Sequence, residues 1–189
     1  MATLLSSHQD ITYPTHTFFS TVPFYDFKIE ATVTKKASEV DKWIFQTIQI
    51  HRRRLHKLLI GLDIEWRAPH YPTVQLPSTA LLQLCVGRVH GDALKLNKDY
   101  GLYVANTVDL NKLALVVKEV EEYGRIGLKR MAYEVLGKVM KKPFDVTMSE
   151  WDADELCVEQ VEYAAIDAFV SFELGISLFS ELFSRGGGV

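Results

Sequence analysis

Apolar and polar residues alternate regularly over residues 27–33 of this sequence. The apolar members of the series are Phe27, Ile29, Ala31 and Val33. A period of two places them on one face of an extended chain and the polar residues on the other. The pattern therefore predicts a half-buried β-strand.

A helical pattern follows this strand. Its shared face consists of Val40, Trp43, Ile44, Thr47 and Ile48. Spacings of three and four are typical of one side of an amphipathic helix. Serine is a preferred residue at helix N-termini, so we predict that Ser38 caps this helix.

Two further strands are predicted in the middle of the chain. The segment LLIGLDIEW, Leu58 to Trp66, is almost entirely apolar apart from two carboxylates. Both of its faces should be covered, as in a central strand of an α/β sheet. Three prolines then interrupt the chain, and the apolar segment from Ala80 to Val86 predicts the next strand.

The second half of the chain shows helical periodicity. One pattern runs from Leu110 to Val117 and another from Leu128 to Leu136, where Gly137 should end the helix. A last helix without internal proline is predicted from Val158 to Phe183. Strands followed by helices that can cover a sheet indicate the α/β class.

Composition and sequence signals indicate the size of the domain and the compartment in which the protein is expected. The chain has 189 residues, 48% of them hydrophobic and 24% charged, which suffices for a core without disulfides or structural metal. We expect one domain over residues 22–184, a flexible arm over 1–21 and a disordered tail over 185–189. Two isolated cysteines, the absence of a long apolar run and the lack of a secretory signal suggest a soluble intracellular protein.

Charge is unevenly distributed along the chain. The net charge is -3, whereas a protein that holds duplex DNA mainly by its electrostatic field is usually basic. Residues 1–57 carry eight basic and five acidic side chains, and residues 143–184 carry ten acidic side chains and no basic one. This asymmetry is either an ordinary solvated surface or a basic approach surface beside a carboxylate cluster that needs cations.

Asp63 and Glu65 are the first candidate functional residues. A spacing of two places both carboxylates on the same face of the predicted Leu58–Trp66 strand. Two neighbouring carboxylates on a buried strand repel each other and lose hydration, and a divalent cation relieves both effects. The alternative is a strand end that emerges into solvent with two ordinary surface acids.

Tyr163 and Asp167 are the second candidate pair. Their spacing of four places them on the same face of the last predicted helix. A phenol one turn from a metal-binding carboxylate can orient a water molecule for reaction. The alternative is a structural tyrosine–aspartate hydrogen bond.

Together, the segments GLDIEW, LLQLCV and YAAIDAFVSFELG resemble the 3'-5' exonucleases of the DEDD superfamily, which have an RNase H-like fold. Tyr163 resembles the tyrosine of the DEDDy branch, at a position where the other branch has histidine. The likeness is strongest to the Werner-syndrome-type exonucleases, especially the small stand-alone plant forms. It implies an α/β fold with a mixed central sheet flanked by helices.

The resemblance also implies a set of site residues. Asp63 and Glu65 match the first motif, and Tyr163 and Asp167 match the third. Asp92 in HGDALKL best matches the aspartate of the second motif, with a helix N-cap as its alternative role. Two other aspartates compete for this role. Asp99 is more typical of an acidic residue in a turn, and Asp109 of an acidic residue in the first turn of a helix, where the helix dipole favours it.

The implied mechanism uses two Mg²⁺ or Mn²⁺ ions. Asp63 would bridge them, with Glu65 and Asp167 completing one site and Asp92 serving the other. Tyr163 would orient the water that attacks the terminal phosphodiester and releases a nucleoside 5'-monophosphate.

The implied substrate is DNA with a free 3' end, with RNA as an alternative. Ile64 and Trp66 would lie against the nucleic acid, where Trp66 could stack on a base; the alternative for Trp66 is burial as a core aromatic. A separate helicase or repair protein would be the partner, and the location would be nuclear, with the cytoplasm as an alternative. No membrane association is implied.

The sequence departs from the family between the second strand and Asp92. The family places a strand, a helix and a short strand there, but only residues 87–91 separate Val86 from Asp92. Five residues span at most about 18 Å, too few for such a unit. We therefore expect the fold to lack one strand-helix-strand segment. A catalytically inactive module that binds nucleic acid or protein is the alternative function.

Overall fold

The computed structural model of this chain describes residues 17–53, 59–66, 79–85 and 108–186. The first elements are two antiparallel strands, β1 (Phe18–Phe24) and β2 (Phe27–Val33), which pair along their whole length. The alternation over residues 27–33 is thus confirmed as a strand. The predicted arm over residues 1–21 was too long, because residues 18–21 pair with β2; Ser20 and Thr21 interrupt the apolar run there and conceal the strand.

Tyr25 forms the tight turn of this hairpin with φ of 53°. Left-handed backbone is unfavourable for a residue with a side chain. The phenol compensates by accepting a hydrogen bond of 2.8 Å from the amide of Val139, and the Lys138 ammonium lies 5.5 Å from the ring centroid. The turn is therefore tied to the segment that follows Gly137.

Helix α1 (Ala37–His51) begins one residue before the predicted cap. Ser38 lies inside the helix, so the predicted capping role was wrong. Lys36 occupies the cap position, and its amide donates to Oγ1 of Thr34 over 3.0 Å. None of the residues of α1 is buried, so its apolar face stays accessible in the described part of the chain.

Strands β3 (Leu62–Glu65) and β4 (Leu81–Leu84) pair antiparallel, with Asp63 opposite Gln83. They confirm the central parts of the two predicted strands. The described residues contain two separate antiparallel pairs, β1–β2 and β3–β4, and not the expected single mixed sheet.

Helices α2 (Leu110–Lys118) and α3 (Leu128–Leu136) flank a 3₁₀ turn at Glu121–Gly124. Asp109 caps α2 by accepting from the amides of Asn111 and Lys112. The Asn111 side chain is buried and donates to two backbone carbonyls of the turn region. Gly137 ends α3 in the left-handed conformation, with φ of 67°, as its position after the apolar series predicted.

The short helix α4 (Phe144–Thr147) leads to the long helix α5 (Val158–Gly186). Helix α5 runs three residues beyond its predicted end. Arg185 pairs with Glu119 and Glu181, so the predicted tail over 185–189 began too early. At the other end, Cys157 offers no strong capping oxygen, but its amide donates to Oε1 of Gln160 over 2.9 Å, which is half of a capping box.

One apolar core joins α5 to α2, α3 and the β1–β2 hairpin. Its most deeply buried members are Leu110, Val117, Met131, Met140, Val170, Leu174 and Leu178. A second, smaller cluster surrounds Trp151 and Tyr163 and supports the site described below. Among the helices of the described ranges, none has the length and apolar character needed to cross a membrane.

Candidate active site

Asp63, Glu65 and Asp167 bring their carboxylates together between β3 and α5. One oxygen from each residue lies within 4.8 Å of the others. The alternation of β3 directs Leu62 and Ile64 into the core and leaves the two acids half-buried on the opposite face. Helix α5 supplies the third carboxylate from more than a hundred residues away. The two candidate pairs identified in the sequence thus meet at one site.

Small residues allow α5 to carry Asp167 close to the strands. Ala164 and Ala168 lie on the buried side of the helix around Asp167. Tyr163 lies one turn earlier, and its ring packs against the indole of Trp151 with centroids 5.7 Å apart. The Trp151 indole in turn donates to the backbone carbonyl of Thr147. Packing therefore sets the position of the phenol beside the carboxylate.

Lys142 completes the site but was not among the residues predicted from the sequence. Its ammonium forms an ion pair with Oδ2 of Asp167 and donates to the hydroxyl of Tyr163 over 3.2 Å. It also lies 5.0 Å from the Tyr163 ring centroid. The only sequence signal was a lysine directly before Pro143, in a segment where several lysines look alike.

The charges of this site act on one another through a largely dry environment. Burial raises the pKa of the Asp167 carboxyl, and the Lys142 ammonium and a hydrogen bond from Tyr163 offset only part of that effect. Burial is the largest single effect on the pKa of Lys142 and lowers it, but the charge of Asp167 and the hydrogen bonds to Asp167 and Tyr163 together raise the pKa above its ordinary value. The Asp167 side chain is 5% exposed and that of Lys142 is 26% exposed, so desolvation falls mainly on the carboxylate.

The Tyr163 hydroxyl is held in its neutral form. Burial raises the pKa of Tyr163, and the negative charge of Asp167 raises it further, while Lys142 acts in the opposite direction. A neutral phenol can accept a hydrogen bond from Lys142 and still donate its own proton. Tyr163 is therefore suited to orienting a water molecule and not to removing its proton.

The remaining predicted site residues differ in their placement. Asp92 and its competitor Asp99 lie outside the described residues. Asp109 is engaged as the cap of α2. Trp66 is 41% exposed at the end of β3, but Ile64 is only 3% exposed. The β3 alternation directs the Ile64 side chain into the core, so its contact with nucleic acid stays a prediction that this burial does not support.

The donor set at this cluster fits a divalent cation. Three carboxylates offer hard oxygen ligands of the kind that Mg²⁺ and Mn²⁺ prefer. Lys142 balances part of the negative charge of Asp167 through their ion pair. Asp63, Glu65 and Asp167 are the described residues that could hold the ion.

Comparison with known proteins agrees with this geometry. The protein-family model described as "3'-5' exonuclease" matches residues 86–182, about half of the chain. The chain belongs to the 3'-5' exonuclease family. The matched region contains Tyr163, Asp167 and Lys142, whereas Asp63 and Glu65 lie before it.

Curated relatives of this chain carry exonuclease names. The "3'-5' exonuclease" of Arabidopsis thaliana is 27% identical over 176 residues, which cover 75% of this chain and 60% of the relative. The human "Exonuclease 3'-5' domain-containing protein 2" is 39% identical over 94 residues, or 50% of this chain and 15% of the relative. Mouse "Bifunctional 3'-5' exonuclease/ATP-dependent helicase WRN" is 24% identical over 199 residues, or 87% of this chain and 13% of the relative. The expected likeness to Werner-type exonucleases is confirmed, and this chain spans less than two thirds of each relative.

A solved structure supports the fold. Brucella melitensis NrnC superposes with a TM-score of 0.55 at 18% identity, covering 69% of this chain and 76% of that chain. The expected α/β, RNase H-like exonuclease fold is confirmed at this level.

The alignment lengths are consistent with a missing segment. The Arabidopsis alignment runs over 176 residues but takes in 75% of the 189 residues of this chain, so about 34 aligned positions have no counterpart here. A strand-helix-strand unit occupies about 30 residues. The protein-family model also begins to match at residue 86, directly before the short link to Asp92.

Proposed function

We propose that this chain is a divalent-metal-dependent 3'-5' exonuclease that hydrolyses the terminal phosphodiester of DNA, with RNA as an alternative substrate. The observation that carries the proposal is the convergence of Asp63, Glu65 and Asp167, with the Tyr163 hydroxyl beside Asp167. These residues come from a strand and a helix far apart in sequence. A structural role alone gives no reason to collect three carboxylates at one point.

Asp63, Glu65 and Asp167 would hold one divalent cation, and Asp92 would contribute to a second. When bound there, such cations lower the pKa of a coordinated water and offset charge on the leaving 3'-oxygen. Tyr163 would donate its hydroxyl proton in a hydrogen bond to the attacking water and so orient it. Trp66, exposed at the end of β3, would stack on a base near the 3' end.

An inactive exonuclease-like module is the second candidate function. It is favoured by the short link of residues 87–91 before Asp92 and by the aligned positions that this chain lacks. Such a module would bind nucleic acid or a protein without turnover. Metal affinity alone does not separate the two functions, because Asp63, Glu65 and Asp167 could still hold one ion.

The test uses a 5'-labelled oligonucleotide annealed to leave a recessed 3' end. We expect Mg²⁺ or Mn²⁺ to support a ladder that shortens from the 3' end and disappears with EDTA and in Asp63→Asn. Glu121→Gln, a neutralisation of an exposed acid in the 3₁₀ turn, should retain the ladder. A folded protein that yields no ladder on DNA or RNA would favour the inactive module.

The assignment of Asp92 requires its own comparison. We expect Asp92→Asn to abolish turnover and Asp99→Asn to preserve it. The opposite result would transfer the second-motif role to Asp99.

A nuclear location and cooperation with a helicase also belong to this proposal. They are motivated by the likeness to the mouse bifunctional exonuclease/helicase. Localisation of the tagged full chain in cells and affinity capture with a helicase-specific readout would test them.

A further inference from the structure

We infer that Lys142 is a positioning residue of this site, which competes with the cation for Asp167 and orients the Tyr163 hydroxyl once the cation is bound. The effect on turnover rests on the exonuclease function proposed above. The effect on metal affinity does not, because it depends only on the contact between Lys142 and Asp167.

The Lys142 ammonium has two hydrogen-bond acceptors at this site. The Nζ atom of Lys142 pairs with Oδ2 of Asp167 and lies 3.2 Å from the Tyr163 hydroxyl oxygen. Both partners belong to α5 and lie one helical turn apart. The ammonium therefore lies directly at the carboxylate cluster.

The backbone around Lys142 explains why this lysine reaches the site. Met140, two residues earlier, is fully buried in the main core. Pro143 follows Lys142 directly and is the N-cap residue of α4. A residue before proline is restricted to extended conformations. Lys142 is thus held between a buried anchor and a stiff residue, while its neighbour Lys141 is exposed.

The ion pair with Asp167 has a direct consequence for metal binding. A cation that takes an oxygen of Asp167 meets the positive charge of Lys142 at close range. The repulsion and the loss of the ion pair both weaken cation binding. Removal of the lysine charge should therefore tighten metal binding, in contrast to the loss of any ligand.

The contact with Tyr163 has the opposite consequence for turnover. A hydrogen bond from Lys142 occupies the phenol oxygen and directs the phenol proton elsewhere. In this structure that proton is donated to Asp167, and once a cation takes the Asp167 oxygens, Tyr163 can donate it to a water near Asp167 instead. Without Lys142 the hydroxyl rotates more freely, and fewer encounters have the productive orientation.

The experiment compares the full chain with Lys142→Met, Lys142→Arg and the matched control Lys141→Met. Free Mn²⁺ is measured by electron paramagnetic resonance during titration, and single-turnover cleavage is measured at saturating Mn²⁺. We expect Lys142→Met to bind Mn²⁺ about tenfold more tightly, the equivalent of one pKa unit of charge interaction, yet to cleave at least about tenfold more slowly.

The other two variants identify the cause. Lys142→Arg keeps the charge and should bind Mn²⁺ like the parent chain, and Lys141→Met should match the parent in both measurements. If Lys142→Met does not fold, Lys142→Gln provides the same test of charge. Unchanged or weaker Mn²⁺ binding without the Lys142 charge would overturn the inference.

The two proposals fail in different ways. A parent chain that cleaves no nucleic acid would refute the exonuclease function, while the Mn²⁺ comparison would still decide the competition for Asp167. If the parent cleaves and Lys142→Met cleaves equally fast, the positioning role is refuted and the exonuclease function stands.

Discussion

The indole of Trp151 packs against the phenol of Tyr163, with ring centroids 5.7 Å apart and an interplanar angle of 49°. Trp151 is almost completely buried, so this contact fixes one side of the tyrosine ring. Lys142 contacts the ring and its hydroxyl. The phenol is therefore held by its ring through packing and by its oxygen through a hydrogen bond.

The first prediction separates these two roles of Tyr163. We expect Tyr163→Phe to keep the packing on Trp151 and the Mn²⁺ affinity but to lower the saturating cleavage rate by about tenfold or more. The measurements are Mn²⁺ titration and single-turnover cleavage. Tyr133→Phe, the same change at an exposed position of α3, should leave both unchanged. A full cleavage rate in Tyr163→Phe would refute the orienting role.

The second prediction concerns metal removal. Burial raises the pKa of Asp167, so its ionised form destabilises the metal-free fold, and this destabilisation grows as the pH rises through the shifted pKa. In EDTA, we expect Asp167→Asn to have a higher free energy of unfolding than the parent at neutral pH, with the difference shrinking as the pH falls. Lys142 keeps Tyr163 as an acceptor, which limits the cost of losing Asp167.

Urea unfolding with EDTA at several pH values tests this prediction. Added Mn²⁺ should raise the melting temperature of the parent but leave Asp167→Asn nearly unaffected, because a ligand stabilises only a fold that binds it. A less stable Asp167→Asn at neutral pH would show that the ion pair outweighs desolvation of the carboxylate.

The third prediction compares two glycines whose added methyl groups would meet no atoms within 4 Å. Gly137 has φ of 67° at the end of α3, so Gly137→Ala should destabilise the fold by about 1 kcal/mol. Gly175 lies within α5, so Gly175→Ala should stabilise it by about 0.5–1 kcal/mol. Urea unfolding in Mn²⁺-free buffer measures both. Equal signs for the two changes would contradict the backbone assignment.

The fourth prediction concerns the two cysteines. Burial and the nearby Glu173 raise the pKa of Cys85 to about 11, so about one thiol in a thousand is ionised at pH 8. Cys157 is exposed. We expect one fast and one slow thiol in reaction with a disulfide reagent, and both fast in urea. Cys157→Ser should remove the fast phase; its persistence would show that Cys85 is accessible.

The local pattern of apolar and polar residues was enough to predict most helices and strands, but not the residues at which they begin and end. The Leu128–Leu136 helix ends at Gly137 as expected, because both features depend on neighbouring residues. Strand β1 escaped prediction because Ser20 and Thr21 break its apolar series, and only pairing with β2 makes it a strand. Ser38 has the right chemistry for a cap, but the chain enters the helix one residue earlier.

The sequence by itself determined which side chains share a face. Asp63 and Glu65 lie two apart on a strand and Tyr163 and Asp167 four apart on a helix, and backbone geometry alone sets those relationships. Only the tertiary structure decided that the two pairs meet, because this depends on how α5 docks against β3. It likewise decided that Lys142 and not Lys141 reaches Asp167, across 25 positions, since burial of Met140 fixes the segment from which the lysine extends.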